Sequence, residues 1–345
     1  MTIYADYFRD LETPRLALLG DNLLAASFPF MKLMPARYIL DRASASGDLT
    51  SGGHIVETTS GTFGMAVALL AASRNFRLTL VTASSLIDAK YQLRLELLGA
   101  RVIVVDDPAG NGNQSGRLQR IASLIKNDPS AYWTRQYDND GNWLAYARLA
   151  ERLVDSMGQV DWLVGCVGTG GSLCGTGHFL RSLFPHLQIA AVDTHRSVLF
   201  GHPVGKRLLR GLGNSILPAN MRHQMIDDIH WVGAYPAWQT CHDLLRQHGL
   251  FVGPTSGAAG LVAQWIAREH PHAQVAVIMP DEGYRYADTI FNTDWLAQHP
   301  SWATNRRNEP TELSTIKPQS ESDWTLFRWQ RRKLPDVISS EAGHS

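Results

Sequence analysis

The sequence predicts an α/β chain built from two doubly wound parallel sheets. Short apolar runs rich in β-formers alternate with segments of helical period, which is the rhythm of parallel strands joined by helical crossovers. That rhythm runs twice, with a break at Asp138-Asn139-Asp140-Gly141-Asn142 near the middle of the chain. A length of 345 residues with 44% hydrophobic content also favours two domains over one.

In chain order, the first unit reads as strand 78–81, helix 89–98, strand 102–105, a Gly/Asn-rich turn at 108–114, and helix 116–125. The second reads as strand 163–167, helix 174–184, strand 189–192, helix 238–247, strand 250–252, helix 258–269 and strand 275–278. Ligands are expected at the carboxyl ends of such strands. The expected division is a smaller domain at 38–145, a larger one formed by 1–37 and 146–295, and a C-terminal tail or arm at 296–345. From about residue 302 the composition turns to Asn, Glu, Ser, Thr, Pro and Arg. Within that stretch Trp324, Phe327 and Trp329 interleave with Arg328, Arg331, Arg332 and Lys333. Such a patch reads as an arm docked on its own body or a neighbouring subunit, ahead of a nucleic-acid contact.

Composition excludes several classes. A formal net charge of zero offers no global attraction to nucleic acid or anionic membrane, so the expected partner is a small molecule. Three cysteines without C-x-x-C spacing, Cys166, Cys174 and Cys241, argue against a disulfide scaffold, a redox pair or a metal site, and read as small buried residues. No apolar run reaches the roughly 20 residues of a membrane span. The N-terminus carries Asp6, Arg9, Asp10 and Glu12 where a secretion signal would be apolar, so a cytoplasmic location is expected.

Two turns carry the chemistry. Val167, Gly168, Thr169, Gly170, Gly171 and Ser172 link an apolar run to a helix-like segment. Bare backbone N–H groups and a helix N-terminus there suit a phosphate, although a purely structural glycine turn fits the same residues. The loop has no Walker lysine and fails G-x-G-x-x-G, since Leu173 occupies the last glycine position. Asp193, at the end of the next apolar run, lies about where a ribose-binding acid would. Upstream, Thr58-Thr59-Ser60-Gly61-Thr62-Phe63-Gly64 precedes an apolar helix at 65–72. It suits a carboxylate, or equally forms an ordinary N-cap.

With these turns in this order the chain resembles the cysteine synthase and cystathionine β-synthase family, whose members use pyridoxal 5′-phosphate on the tryptophan synthase β-like fold, fold type II. The resemblance spans roughly residues 13–292. It rests on Thr59 to Gly64 as the substrate-carboxylate loop, Gln136-Tyr137, the 167–172 phosphate loop, and Arg210-Gly211-Leu212-Gly213 with Leu217-Pro218 as a mobile glycine segment. Further on, Gly253-Pro254-Thr255-Ser256-Gly257-Ala258 matches the strand end facing the pyridine nitrogen, and Pro280-Asp281-Glu282-Gly283-Tyr284-Arg285-Tyr286 the closing motif. Lys32, ahead of Gly47-Asp48-Leu49 at the family spacing, matches the cofactor-bearing lysine. Three positions depart from the pattern: Leu33 replaces the aspartate after the lysine, Thr62 replaces the loop asparagine, and Phe63 replaces a smaller residue.

The resemblance implies pyridoxal 5′-phosphate bound by Lys32, Thr62, Val167, Gly168, Thr169, Gly170, Gly171, Ser172 and Thr255, with Lys32 catalytic. It implies substrate held by Thr59, Ser60, Gly61, Thr62, Gln136 and Gly211. The implied reaction is β-replacement through an aminoacrylate, on an activated L-serine such as O-acetylserine or O-phosphoserine, with sulfide or another small nucleophile. Two alternatives stand beside it: a β-elimination lyase releasing pyruvate and ammonia, and a catalytically idle homologue acting as a binding partner. A homodimer and a role in amino-acid, including cysteine, biosynthesis are implied by the family alone. Arg101, Arg210 and the region near His202 are candidates for an additional anion contact.

Overall fold

The computed structural model describes residues 6–342 other than Ser60, Arg210 and Asn305. Its contacts divide the chain into two compact units, Met1–Met31 with Tyr146–Ser345, and Lys32–Ala145. The division falls six residues ahead of the expected one, because residue 37 lies inside the continuous helix Leu33–Ser46.

The chain opens with β1 (Arg15–Gly20) and β2 (Leu23–Ser27), an antiparallel pair. No residue of β1 is fully buried, as suits an edge strand, whereas all five residues of β2 are buried. The second unit holds β3 (His54–Thr58), β4 (Arg77–Ala83), β5 (Ala100–Val105) and β6 (Tyr132–Trp133) in a parallel sheet of order β5-β4-β3-β6. Val56, Val81 and Ile121 centre its core.

The first unit resumes with β7 (Trp162–Cys166), β8 (Gln188–Asp193), β9 (Asp228–Val232), β10 (Val275–Met279), β11 (Thr311–Glu312) and β12 (Trp324–Arg328). The order is β1-β2-β10-β7-β8-β9-β12-β11. Its middle, β2-β10-β7-β8-β9, is parallel, while β1 and β12 join antiparallel at either side. The centre is α/β as expected and the flanks are mixed.

One expected strand is corrected here and one unexpected strand is added. Residues 250–252 form no strand; Val252 makes one isolated bridge to Glu282. The strand in that part of the chain is β9, whose polar Asp228 and His230 hide it from an apolar-run reading. The C-terminal arm is part of the large sheet: β12 pairs with β9, and Trp324, Phe327 and Trp329 are buried on the chain's own body. Glu321 completes the join by accepting the Ala234 N–H at 3.2 Å, which caps the helix Ala234–His248. Among the described residues no helix is long and apolar enough to cross a membrane.

Candidate active site

The helix starts bear on where a ligand can sit. The helices Ala89–Leu97 and Gln114–Asn127 start with side-chain caps: Asp88 accepts from the Tyr91 N–H at 2.8 Å, and Asn113 from the Gly116 N–H at 3.1 Å. The helices Thr62–Ser73, Gly171–Leu183 and Pro254–Glu269 start instead at Gly61, Gly170 and Gly253, which have no side chain to cap them; from within the turns Thr59 Oγ1 takes the Gly64 N–H of the first and Thr169 Oγ1 the Gly171 N–H of the second. The first two of these turns are the ones the sequence singles out and the third is one the family resemblance points to; each presents N–H groups and the positive end of a helix dipole.

In the larger unit the turn after β7 is shaped by contacts that tolerate only glycine. Gly170 adopts φ +82°, and a Cβ there would lie 2.7 Å from the Met221 Cα. Asn214 Nδ2 donates to the Gly168 carbonyl at 3.0 Å, and Gly213 N–H to the Val167 carbonyl at 2.9 Å, so residues 211–214 pack onto the loop. Thr169 and Ser172 are buried, and Thr169 Oγ1 accepts the Gly171 N–H at 3.3 Å. A Cβ on Gly211 would lie 3.4 Å from Thr255 Oγ1. Val167 to Ser172, Gly211 and Thr255 therefore come together.

Two acids brace this floor. Asp281 accepts from the Tyr286 hydroxyl at 3.1 Å, its carbonyl accepts from the Gly253 N–H at 3.2 Å, and burial pushes its carboxyl up to about 6. Burial likewise raises Asp193 to about 7. Asp193 accepts from the Thr194 N–H at 2.8 Å and abuts Gly213, so it props the glycine segment; nothing in its surroundings corresponds to a ribose site.

In the smaller unit the turn after β3 is ordered by its own residues. Thr59 Oγ1 accepts from the Gly61 and Gly64 N–H groups, each at 3.0 Å, and donates to the Gly61 carbonyl at 3.0 Å. The Thr59 N–H goes to the Val81 carbonyl at 2.9 Å. Thr59 thus shapes the turn with both of its donors, while Thr62 begins the helix. Gln136 Nε2 donates to the Thr58 carbonyl at 3.1 Å, which brings Gln136 beside the turn. Ser60 lies outside the described residues.

Sequence reading missed three members of this network. Tyr91 donates its hydroxyl to the Gly61 carbonyl at 2.6 Å. Arg117, buried, donates to Thr58 Oγ1 at 2.8 Å and to the Gly112 carbonyl at 2.7 Å. Glu57 accepts from the Gln136 N–H at 3.1 Å. The available signal was a charged residue inside an apolar strand, Glu57 within His54–Thr58.

Lys32 opens the helix Leu33–Ser46 one peptide bond beyond Met31, whose N–H donates to the Pro280 carbonyl at 3.3 Å. Met31 and Leu33 on either side are buried, and desolvation lowers the Lys32 amine to about 8. The amine is therefore far easier to deprotonate than an ordinary lysine.

The family described as "Pyridoxal-phosphate dependent enzyme" matches residues 30–281, the stretch from just before Lys32 to Asp281. The chain belongs to that family. A curated relative, N-(2-amino-2-carboxyethyl)-L-glutamate synthase of Ralstonia nicotianae, is 33% identical over 278 residues, 78% of this chain and 80% of its own. Among solved structures, O-acetyl serine sulfhydrylase isoform 3 of Entamoeba histolytica superposes with a TM-score of 0.76 at 25% identity, covering 84% of this chain and 91% of its own. An O-acetylserine dependent cystathionine beta-synthase from Helicobacter pylori gives a TM-score of 0.76 at 25% identity, covering 84% and 99%.

The residues present fit the family's cofactor. The 168–172 turn, free of acidic side chains and leading into a helix of thirteen residues, suits a phosphate dianion. Lys32, with its lowered amine, suits a carbonyl partner. Of the extra anion candidates, Arg101 is exposed on β5, and Arg210 lies outside the described residues. His202 is unsuited to an anion: it is stacked on Trp231 at 4.6 Å, and burial holds it to about 4, hence neutral.

Proposed function

We propose that this chain catalyses β-replacement on an activated L-serine, O-acetylserine or O-phosphoserine, joining its β-carbon to the amino nitrogen of an acidic amino acid such as glutamate. The observation that supports the reaction class is the set of three glycine-started helices at the site turns together with one low-pKa lysine. The choice of nucleophile rests on the Ralstonia relative, which is named for a product that carries a 2-amino-2-carboxyethyl group on glutamate.

In this reading the N–H groups of residues 168–172 hold the cofactor phosphate, and Thr255 meets the ring nitrogen with a neutral hydroxyl. Pyridoxal phosphate, when bound, supplies the electron sink that makes the α-proton of an amino acid removable. Lys32, half neutral near pH 8, takes that proton from Cα. The Thr62 hydroxyl, the N–H groups at the start of its helix, Ser60 and the Gln136 amide hold the substrate carboxylate. Acetate or phosphate leaves the β-carbon, and the incoming amine bonds to the same carbon and gives up a proton.

The test is product analysis of the cofactor-loaded protein with O-acetylserine or O-phosphoserine, each with glutamate, with sulfide, or with no nucleophile. A 2-amino-2-carboxyethyl adduct of glutamate supports the reading. Cysteine from sulfide alone moves the enzyme to cysteine biosynthesis, and pyruvate without a nucleophile marks the β-elimination lyase. A cytoplasmic homodimer accompanies this reading, and sedimentation of the purified protein checks the dimer.

A further inference from the structure

We propose that Glu57 is a positioning residue, which as a carboxylate fixes the turn that presents Gln136 to the substrate. The inference deepens the functional reading above and rests on its assignment of Gln136 to the substrate carboxylate. Glu57 lies in β3 with no exposure at all. Every partner it has among the described residues is a donor: the Thr58 N–H at 2.6 Å, the Trp133 indole N–H at 3.3 Å, the Thr134 hydroxyl, and the Gln136 N–H at 3.1 Å. Its Oε2 receives both Thr134 and Gln136, the two neighbours of Arg135.

Arg135 is held at φ +52°, a left-handed conformation that a long side chain rarely takes. The turn therefore needs an external hold, and Glu57 supplies it from both sides. Gln136 is then fixed at two further points, its Nε2 on the Thr58 carbonyl and its carbonyl on Asn142 Nδ2, and the Asn139 amide donates to the Thr134 carbonyl at 3.0 Å. Removing the Glu57 charge releases the backbone on which these contacts hang.

Three of the four partners are N–H groups that can only donate and the Thr134 hydroxyl can donate as well, so the carboxylate is the form that satisfies all four at once. Burial raises the Glu57 carboxyl to about 6, so the hold weakens as pH falls through that value. The charged and titratable groups nearby are few. Tyr132 on β6 feels the Glu57 charge, Arg135 is paired with Asp138, Arg117 meets Thr58 Oγ1, and His54 pairs with Asp128 at the other end of β3.

The test compares wild type with Glu57→Gln, Gln136→Ala and the double variant. Hydrogen exchange of residues 134–139, followed by mass spectrometry, should quicken about tenfold or more in Glu57→Gln, with the rest of the domain unchanged. With the loaded enzyme, Glu57→Gln should raise KM for the activated serine about tenfold while leaving kcat within about twofold, and should add little in the Gln136→Ala background. In wild type KM should rise below about pH 6, and in Glu57→Gln it should lose that dependence. Unchanged exchange at 134–139, a fall in kcat without a rise in KM, or effects that add fully to those of Gln136→Ala would overturn the proposal. Should Glu57→Gln fail to fold, Thr134→Val removes one of the four donors and should show the same pattern more weakly; its absence there also overturns it. If no variant, nor wild type, accepts an activated serine, the functional reading fails, and the exchange result alone decides whether Glu57 holds the turn.

Discussion

The Cα of Met221 lies 2.7 Å from the point where a Cβ on Gly170 would be, with the Asn220 carbonyl at 2.8 Å. Backbone, not a movable side chain, thus enforces glycine at the head of the turn proposed to hold phosphate, where φ is also +82°. Gly170→Ala is expected to abolish cofactor retention, because the turn must open to admit the methyl group and its N–H groups then diverge. A destabilisation of about 1–3 kcal/mol should accompany it. Absorbance of the purified variant and a denaturant titration measure the two effects, and an alanine variant that keeps full cofactor would show that the turn tolerates movement.

Lys32 invites a kinetic prediction. Desolvation lowers its amine to about 8, so the neutral, nucleophilic form dominates above that pH, whereas an ordinary lysine reaches it only near about 10.4. Capture of pyridoxal phosphate by the cofactor-free protein should therefore quicken as pH rises to about 8 and then level off. Lys32→Ala should show no visible band at any pH. A rate that climbs steadily through about pH 10 would mean that the amine is solvated.

The sequence made the parallel core and the order of the site turns legible, because both are written locally. Strand runs such as 78–81 and 275–278 are apolar by themselves, and glycines mark the turns that follow strands. What escaped is what depends on distant partners. β9 carries Asp228 and His230 inside a sheet because Arg328 and Trp324, about a hundred residues later, neutralise the one and hydrogen-bond the other. The arm's polar composition conceals β12 for the same reason. Glu57 reads as an oddity in β3 until Thr134 and Gln136, 77 and 79 residues away, supply its donors. Thr59 matched a ligand-binding position by motif, yet its hydroxyl orders the turn itself.

Asp193 gives a stability prediction whose sign is fixed by burial. Its folded value is raised to about 7 from an ordinary 3.8, so the folded state holds a proton that the unfolded state releases. The stability it contributes is present below about pH 4 and is lost as pH rises to about 7. Asp193→Asn should therefore gain stability relative to wild type over that interval, by up to a few kcal/mol if the full shift is realised. Denaturant midpoints of both proteins at about pH 4.5 and 7.5 test this; a constant difference would mean that Asp193 is ionised throughout.

Trp324 decides whether the C-terminal arm belongs to the fold. It is 1% exposed, packs edge-on against Trp265, and donates its indole N–H to His230 Nδ1 at 3.2 Å. That bond needs a neutral His230, which burial secures by holding its value down to about 3. Because that value is depressed, the contribution of His230 is present above its ordinary value near 6.5 and is lost as pH falls toward 3. Trp324→Ala should cost about 3–5 kcal/mol, from lost burial together with an unpartnered His230. Removal of residues 303–345 should be worse, since β9 would become an open edge and Asp228 would lose Arg328. Chemical denaturation of Trp324→Ala, with sedimentation of the truncated chain, separates the two possibilities. A truncated chain that remains monodisperse and as stable as the whole would make the arm an accessory; soluble aggregate would make β12 the strand that closes the sheet.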